Sequence, residues 1–182
     1  VEGFTIVNFP GAGVHLRAST SVVNSLFASE IGANNGVAAG NGIAGVLVDG
    51  GASSNLVGGP IGDLRNIISG NPVGIKVTGS GSNANVIYNN YVGLDPSGMT
   101  AVPNTKNGIE ISDGVNSTIL LGVDPDGRGL LVSGNGDGSA DGGISINAAT
   151  FTLVFGCAIG VNVNGDPLLG NNPHGIRLSN GA

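Results

Sequence analysis

One phrase recurs six times along this chain: glycine, then valine or isoleucine, any residue, and a second aliphatic. It reads GVHL at 13–16, GVLV at 45–48, GIKV at 74–77, GIEI at 108–111, GISI at 143–146 and GIRL at 175–178. The first aliphatics, Val14, Val46, Ile75, Ile109, Ile144 and Ile176, are spaced 29 to 35 residues apart. A period of that length signals stacked structural units in place of one globular core. Within each phrase the two aliphatics are two residues apart, which puts both on one face of a strand.

The rest of the sequence narrows the class to all-β. Charged residues make up 10% of the chain, and glycine occupies 35 of 182 positions. So much glycine suits disorder, but 40% hydrophobic residues in regular pairs supply surface that a folded core can bury. Short aliphatic runs are punctuated by Gly, Asn, Pro and Ser, and no window carries the three- and four-residue apolar spacing of a helix. Strands repeating along one direction must pair in parallel, coil upon coil, about 4.8 Å apart. One or two further aliphatic runs lie between consecutive phrases, among them NLV (55–57), NII (66–68), NVI (85–87) and YVG (91–93). The expected fold is therefore a single domain over 1–182, a right-handed parallel β-helix (β-solenoid) with about three short strands per coil and five to six coils.

A second level of repetition supports this. Three units carry long tails, EIGANNGVAAGNGIAG (30–45), YVGLDPSGMTAVPNTKNG (91–108) and AIGVNVNGDPLLGNNPHG (158–175), and the units between them carry NIISGN (66–71) and LLVSGN (130–135). Long and short coils alternate. Asn24, Asn55 and Asn85 fall 9 or 10 residues after their units' first aliphatics, a spacing that stacks their amides in a ladder, with Thr118 and Thr152 taking the same place later. The Asn-Gly pairs at 35–36, 41–42, 107–108, 135–136 and 164–165 are expected at positions of positive φ.

The phrases IGANNG, VGLDPSG and IGVNVNG, with ISGN and VSGN between them, resemble the repeats of right-handed parallel β-helix proteins, pectin-lyase-like in fold and common among secreted and surface-attached bacterial proteins. The resemblance runs from Gly3 to Gly181. It implies an extracellular location, and it spans polysaccharide lyases and hydrolases, phage tailspikes, adhesins and non-catalytic rods, so the fold alone does not choose among them.

In the enzymes of that group the site lies on an outward face of the coil, built from carboxylates with Arg, Lys or His. Here the outward residues of the phrases are His15, Leu47, Lys76, Glu110, Ser145 and Arg177, followed two positions on by Arg17, Asp49, Thr78, Ser112, Asn147 and Ser179. No carboxylate stacks on another, as acid–base cleavage of a glycosidic bond requires. Lys76 beside Glu110 and Arg17 beside Asp49 read as ion pairs between rungs. PHGIR (173–177) resembles the His and Arg segments of polygalacturonases, mapping onto His174 and Arg177, but the aspartate motifs of that family have no counterpart. No catalytic residue is assigned, and the polysaccharide-active enzyme is the competing class.

Asp137, Ser139 and Asp141, followed by Gly142 and Ile144, follow the start of a calcium loop with oxygen ligands at alternate positions, although Ala148 stands where such a loop carries its bidentate glutamate. Asp124 and Asp126 form a second acidic turn nearby. Ca²⁺ is the one candidate ion, and no cofactor is required. A net charge of −6 with six basic residues offers no stripe for nucleic acid, and no apolar run reaches the length of a membrane span. Cys157 is solitary and aligns with Ser29 and Asn90, which marks it as a small residue filling a strand position.

The chain opens in what reads as mid-coil, with FTIV (4–7) already strand-like, and closes at GIRLSNGA directly after a phrase. Neither end carries the capping helix or charged edge that solenoids use against end-to-end association. The expectation is a piece of a longer β-helix or copies that stack head to tail. The functional expectation is a structural or binding module of a secreted or cell-surface microbial protein, an adhesin-like rod or filament subunit, whose partners are further copies of itself and a glycan or surface ligand.

Overall fold

The computed structural model describes residues 1–18, 23–123, 129–140 and 142–182, and it is a parallel β-solenoid of about five turns. Three sheets run its length. Sheet I is the column of recurring phrases: Val14–Arg17, Ala44–Asp49, Val73–Thr78, Asn107–Ser112, Gly142–Asn147 and His174–Ser179. Sheet II stacks Ser25–Leu26, Leu56–Val57, Val86–Tyr88, Ile119–Leu121 and Leu153–Phe155. Sheet III stacks Thr5–Ile6, Glu30–Ile31, Ile67–Ile68, Tyr91–Val92, Leu131–Val132 and Ala158–Ile159. Every pairing within these sheets is parallel and joins neighbouring coils, and the register sets Val46, Ile75, Ile109, Ile144 and Ile176 on one another. The one helical element among the described residues is the single 3₁₀ turn Gly62–Leu64.

The core follows from the alternation. Both phrase aliphatics point inward, where they meet Leu26, Val57, Ile87 and Leu120 of sheet II and Ile31, Ile68, Val92 and Val132 of sheet III. Each such side chain, fully buried, contributes about 1.5–3 kcal/mol relative to leaving it in water.

Polar columns run up the inside corners. The expected one is present: Asn24 Nδ2 donates to Asn55 Oδ1 at 2.9 Å, and Asn55 Nδ2 to Asn85 Oδ1 at 2.8 Å. Beyond Asn85 it stops, because Thr118 and Thr152 are too short to bridge a rung, and their buried Oγ1 atoms have no hydrogen-bond partner. A second column begins at Ser29, whose backbone N–H donates to Asn66 Oδ1 at 3.0 Å, and Asn66 Nδ2 donates to Asn90 Oδ1 at 2.9 Å. Leu130 and Cys157 replace it in the later coils. The longest column, Asn41–Asn71–Asn104–Asn135–Asn171, was not read from the sequence. Each of its first four members donates both its backbone N–H and its Nδ2 to the Oδ1 of the next, at 2.9 to 3.4 Å.

This third column explains the glycine of the recurring phrase. It does so together with the glycine carbonyl of the next coil: a Cβ on Gly74 would lie 2.5 Å from Gly108 O, 2.8 Å from Asn104 Nδ2 and 2.8 Å from Val92 Cγ1, and one on Gly45 would lie 2.7 Å from Ile68 Cγ2, 2.8 Å from Gly74 O and 2.9 Å from Asn71 Nδ2. Any side chain there would displace the amide or the aliphatic beside it.

The Asn-Gly expectation divides in two. Asn35 (φ 49°) and Gly36 (φ 77°) form the two-residue turn of a small antiparallel hairpin, Ala33–Asn34 with Val37–Ala38, in which both central residues need positive φ. Gly136 and Gly165 also have positive φ. Gly42 and Gly108 do not, which corrects the expectation for those two pairs. There Asn41 and Asn107 are buried hydrogen-bonding residues, and the glycines are required by close approach: a Cβ on Gly42 would sit 2.3 Å from Pro10 O.

The long tails of alternate coils reach outward far enough to touch one another across the short coil between them. Val163 N–H donates to Gly98 O at 3.0 Å, and Gly36 lies against Asp95 and Pro96. Together they fold over the outer face of sheet III and bury a second apolar cluster of Tyr91, Leu94 and Leu131, flanked by Ile67, Ala158, Val163 and Leu169. Arg65 lies over the Tyr91 ring, 4.0 Å from its centroid.

Two tests follow from this packing. Deleting 44–106 removes one short–long pair and lets the 33–38 hairpin seat on the 161–169 turn, so the product melts close to the parent. Deleting 73–106 removes one coil, separates those turns, and lowers the melting temperature further despite the smaller excision. Asn104→Ala strands the backbone N–H of Asn71, whose Nδ2 keeps Ile31 O and Ser69 O, and costs about 1–3 kcal/mol in denaturant unfolding, whereas Thr118→Asn extends the first column and raises the unfolding midpoint.

Candidate functional site

Because sheets II and III carry apolar outward residues or are roofed by the long turns, chemistry-bearing side chains concentrate on the outward face of sheet I. Its alternation points Lys76, Thr78, Glu110 and Ser112 away from the core, and the register sets Lys76 opposite Glu110 and Thr78 opposite Ser112. Lys76 Nζ stands 2.6 Å from Glu110 Oε1. The other carboxylate oxygen, Oε2, accepts Asn107 Nδ2 at 3.1 Å, and Asn107 Oδ1 in turn accepts the backbone N–H of Gly142 at 3.1 Å. Just beyond the strand, Asp113 Oδ2 accepts Thr78 Oγ1 at 2.7 Å and Ser112 Oγ at 2.9 Å. These hydroxyls, with Lys76 nearby, hold the Asp113 carboxyl below the usual carboxylate range.

Nearer the first coils, Asp49 Oδ1 lies 3.0 Å from His15 Nε2 and 3.5 Å from Arg17 Nε. Both cross-rung pairs expected from the sequence thus form, joined by a third partner in each case: Asn107 at Glu110 and His15 at Asp49. In sequence Asn107 has only the look of a turn residue, because the turn preference of Asn-Gly hides its place at the head of a strand. His174 and Arg177 fall on the last strand, opposite Gly142 and Ser145, apart from the Lys76–Glu110 group by register.

The calcium-loop residues are placed only in part. Asp137 Oδ1 accepts both the backbone N–H of Ser139, at 2.8 Å, and the Ser139 hydroxyl. Those bonds hold the Asp137 carboxyl below its ordinary range. Asp141, like Asp124 and Asp126, lies outside the described residues. Among the described residues no three His, Cys, Asp or Glu side chains converge as metal ligands. Cys157 lies at the edge of the core, in the place that the second polar column occupies in earlier coils, and burial pushes its thiol up to about 11. No helix among the described residues is long and apolar enough to cross a membrane.

One more carboxylate organises a turn. Burial opposes ionisation of Asp95, yet hydrogen bonds from Ser97, Thr100 and Met99 outweigh it and hold its pKa below the ordinary value. A short-range anchor of this kind holds the 94–101 turn in its own shape.

No family model, curated protein or solved structure matches the chain. What the fold defines is therefore a class: an all-β, parallel β-solenoid repeat protein.

The Asp95 anchor makes the turn sensitive to acid. Its folded pKa is depressed, so the stabilisation is fully present above the unfolded value of about 3.9 and is lost as pH falls through the lower folded value. Hydrogen exchange at Met99 and Thr100 is expected to lose protection over that window in the parent chain. In Asp95→Asn the same amides exchange with no such pH step beyond the intrinsic rate.

Proposed function

We propose that this chain is a stiff structural or binding module of a secreted or cell-surface microbial protein, adhesin-like in its rod form and able to extend end to end. The observation that carries the reading is the continuity of its interior, with aliphatic stacks and polar columns repeated coil after coil. Ile144 and Ile146 are 0% and 3% exposed, whereas Ile176 and Leu178, their equivalents on the final strand, are 42% and 63% exposed. A further coil of the same cross-section fits over them, supplied by more chain of the same kind or by a second copy. Parallel pairing of such a coil with His174–Ser179 would bury the two aliphatics. In the filament form of this proposal, the second copy supplies it. The outward faces remain free for a glycan or surface ligand.

The competing reading, a polysaccharide lyase or hydrolase, draws on the Lys76, Glu110 and Asp113 shelf. Against it stand the partners these groups already hold. Release of unsaturated or reducing ends from acidic polysaccharides by the purified chain, lost in Glu110→Gln, would establish it. Calcium belongs to the proposal only as a weak ligand of the Asp137 loop, seen as a rise in melting temperature at millimolar Ca²⁺.

The test of the main reading is negative-stain electron microscopy with sedimentation over a concentration series. Filaments of single-solenoid width are expected to lengthen with concentration and to be shortened by Leu178→Lys. Particles that stay monomeric at the highest concentration remove the filament form of the proposal.

A further inference from the structure

Lys76, Glu110 and Asn107 stand in an arrangement that an ordinary surface ion pair does not need. The two oxygens of one carboxylate hold an amine and a carboxamide nitrogen: Lys76 Nζ at 2.6 Å on Oε1 and Asn107 Nδ2 at 3.1 Å on Oε2. The carboxamide oxygen is itself held, by the Gly142 N–H at 3.1 Å. Asn107 is 5% exposed, and the lysine and glutamate side chains are 30% and 19% exposed, so the group is largely shielded from water. Nucleophile, proton carrier, leaving group and oxyanion donor are thus present together, fixed by the register of three successive sheet I strands.

We propose that Lys76 and Asn107 form an intramolecular amide, a covalent cross-link between two neighbouring coils, with Glu110 as the acid–base residue. The Lys76 ammonium passes a proton to Glu110 Oε1, and the freed amine attacks Asn107 Cγ. The carbonyl electron pair moves onto Oδ1, where the Gly142 N–H faces the developing charge. Glu110 delivers its proton to Nδ2, the Cγ–Nδ2 bond breaks, and ammonia departs, taking up the second proton from the former amine. In sum an ammonium and a carboxamide become a secondary amide and an ammonium ion, with no oxidant, metal or co-reactant. Holding both groups on one carboxylate replaces a bimolecular encounter by a positioned one, which lowers the barrier to this otherwise slow aminolysis. The inference concerns the chemistry of this shelf alone and stands whether or not the rod assembles end to end.

Intact mass spectrometry of the purified full chain after incubation at neutral pH tests it. The expected mass is about 17 Da below that of the sequence, one ammonia lost in the covalent step, and peptide mapping links the segment holding Lys76 to the one holding Asn107. Glu110→Gln and Lys76→Arg, checked for the parent's circular dichroism, are expected at their full sequence masses with no linked peptide. A parent chain that is folded yet retains its full mass overturns the proposal. So does a deficit that persists in Lys76→Arg, since ring closure at an Asn-Gly pair loses the same ammonia without the lysine.

Discussion

The hydrogen-bonded column of Asn41, Asn71, Asn104, Asn135 and Asn171 is the constraint on which the other features of the solenoid depend. Buried amides are costly unless satisfied, and here Asn71, Asn104 and Asn135 each spend their Oδ1 on the preceding rung and their Nδ2 on the following rung and on backbone carbonyls such as Ile31 O and Ile68 O. The column therefore fixes the coil spacing and the bend between sheets III and I at once. Its bulk takes the space where the phrase glycines would otherwise carry side chains, and the aliphatic that follows each glycine is delivered to the core in a constant register. A motif that begins with glycine and continues with an aliphatic pair is the outer sign of an amide packed behind it.

The parts of this architecture legible in the sequence were those whose signal is local or strictly periodic. The alternating aliphatics of GIKV or GIEI announce a strand and its inward face, their period announces stacking, and Lys76–Glu110 and Arg17–Asp49 follow from register alone. The first asparagine column could be read because Asn24, Asn55 and Asn85 keep nearly constant distances from the phrases. The third could have been read from Gly-Asn at 40–41, 70–71, 134–135 and 170–171, but the same dipeptides are ordinary turn punctuation, and Asn135 stands nine residues before Ile144 where the others stand four or five. A propensity for turns and a place in a buried ladder give one residue the same appearance.

What stayed hidden depends on contacts between coils that are not adjacent. The spacing shows that long and short tails alternate; it does not show that the 33–38, 94–101 and 161–169 turns meet over the intervening short coils and turn the outer face of sheet III into a second apolar interior. Nor does it show that Asn107 is drawn to Glu110 and Gly142, since that contact joins strands from two coils to a residue three positions along the same strand.

Those bridging turns have a mechanical consequence. Under tension at its ends, a solenoid whose coils touched only their neighbours would peel one coil at a time. In this one a coil with a long turn is bolted to the next such coil past the short one, so the short coil cannot leave before its partner's turn is released. Extension would then proceed in double steps, each freeing the stretch that separates Val46 from Ile109, roughly 200 Å of chain at 3.3–3.6 Å per residue. The alternation of long and short tails would thereby act as a coarse ratchet, dissipating load in few large events and leaving the remaining coils in register.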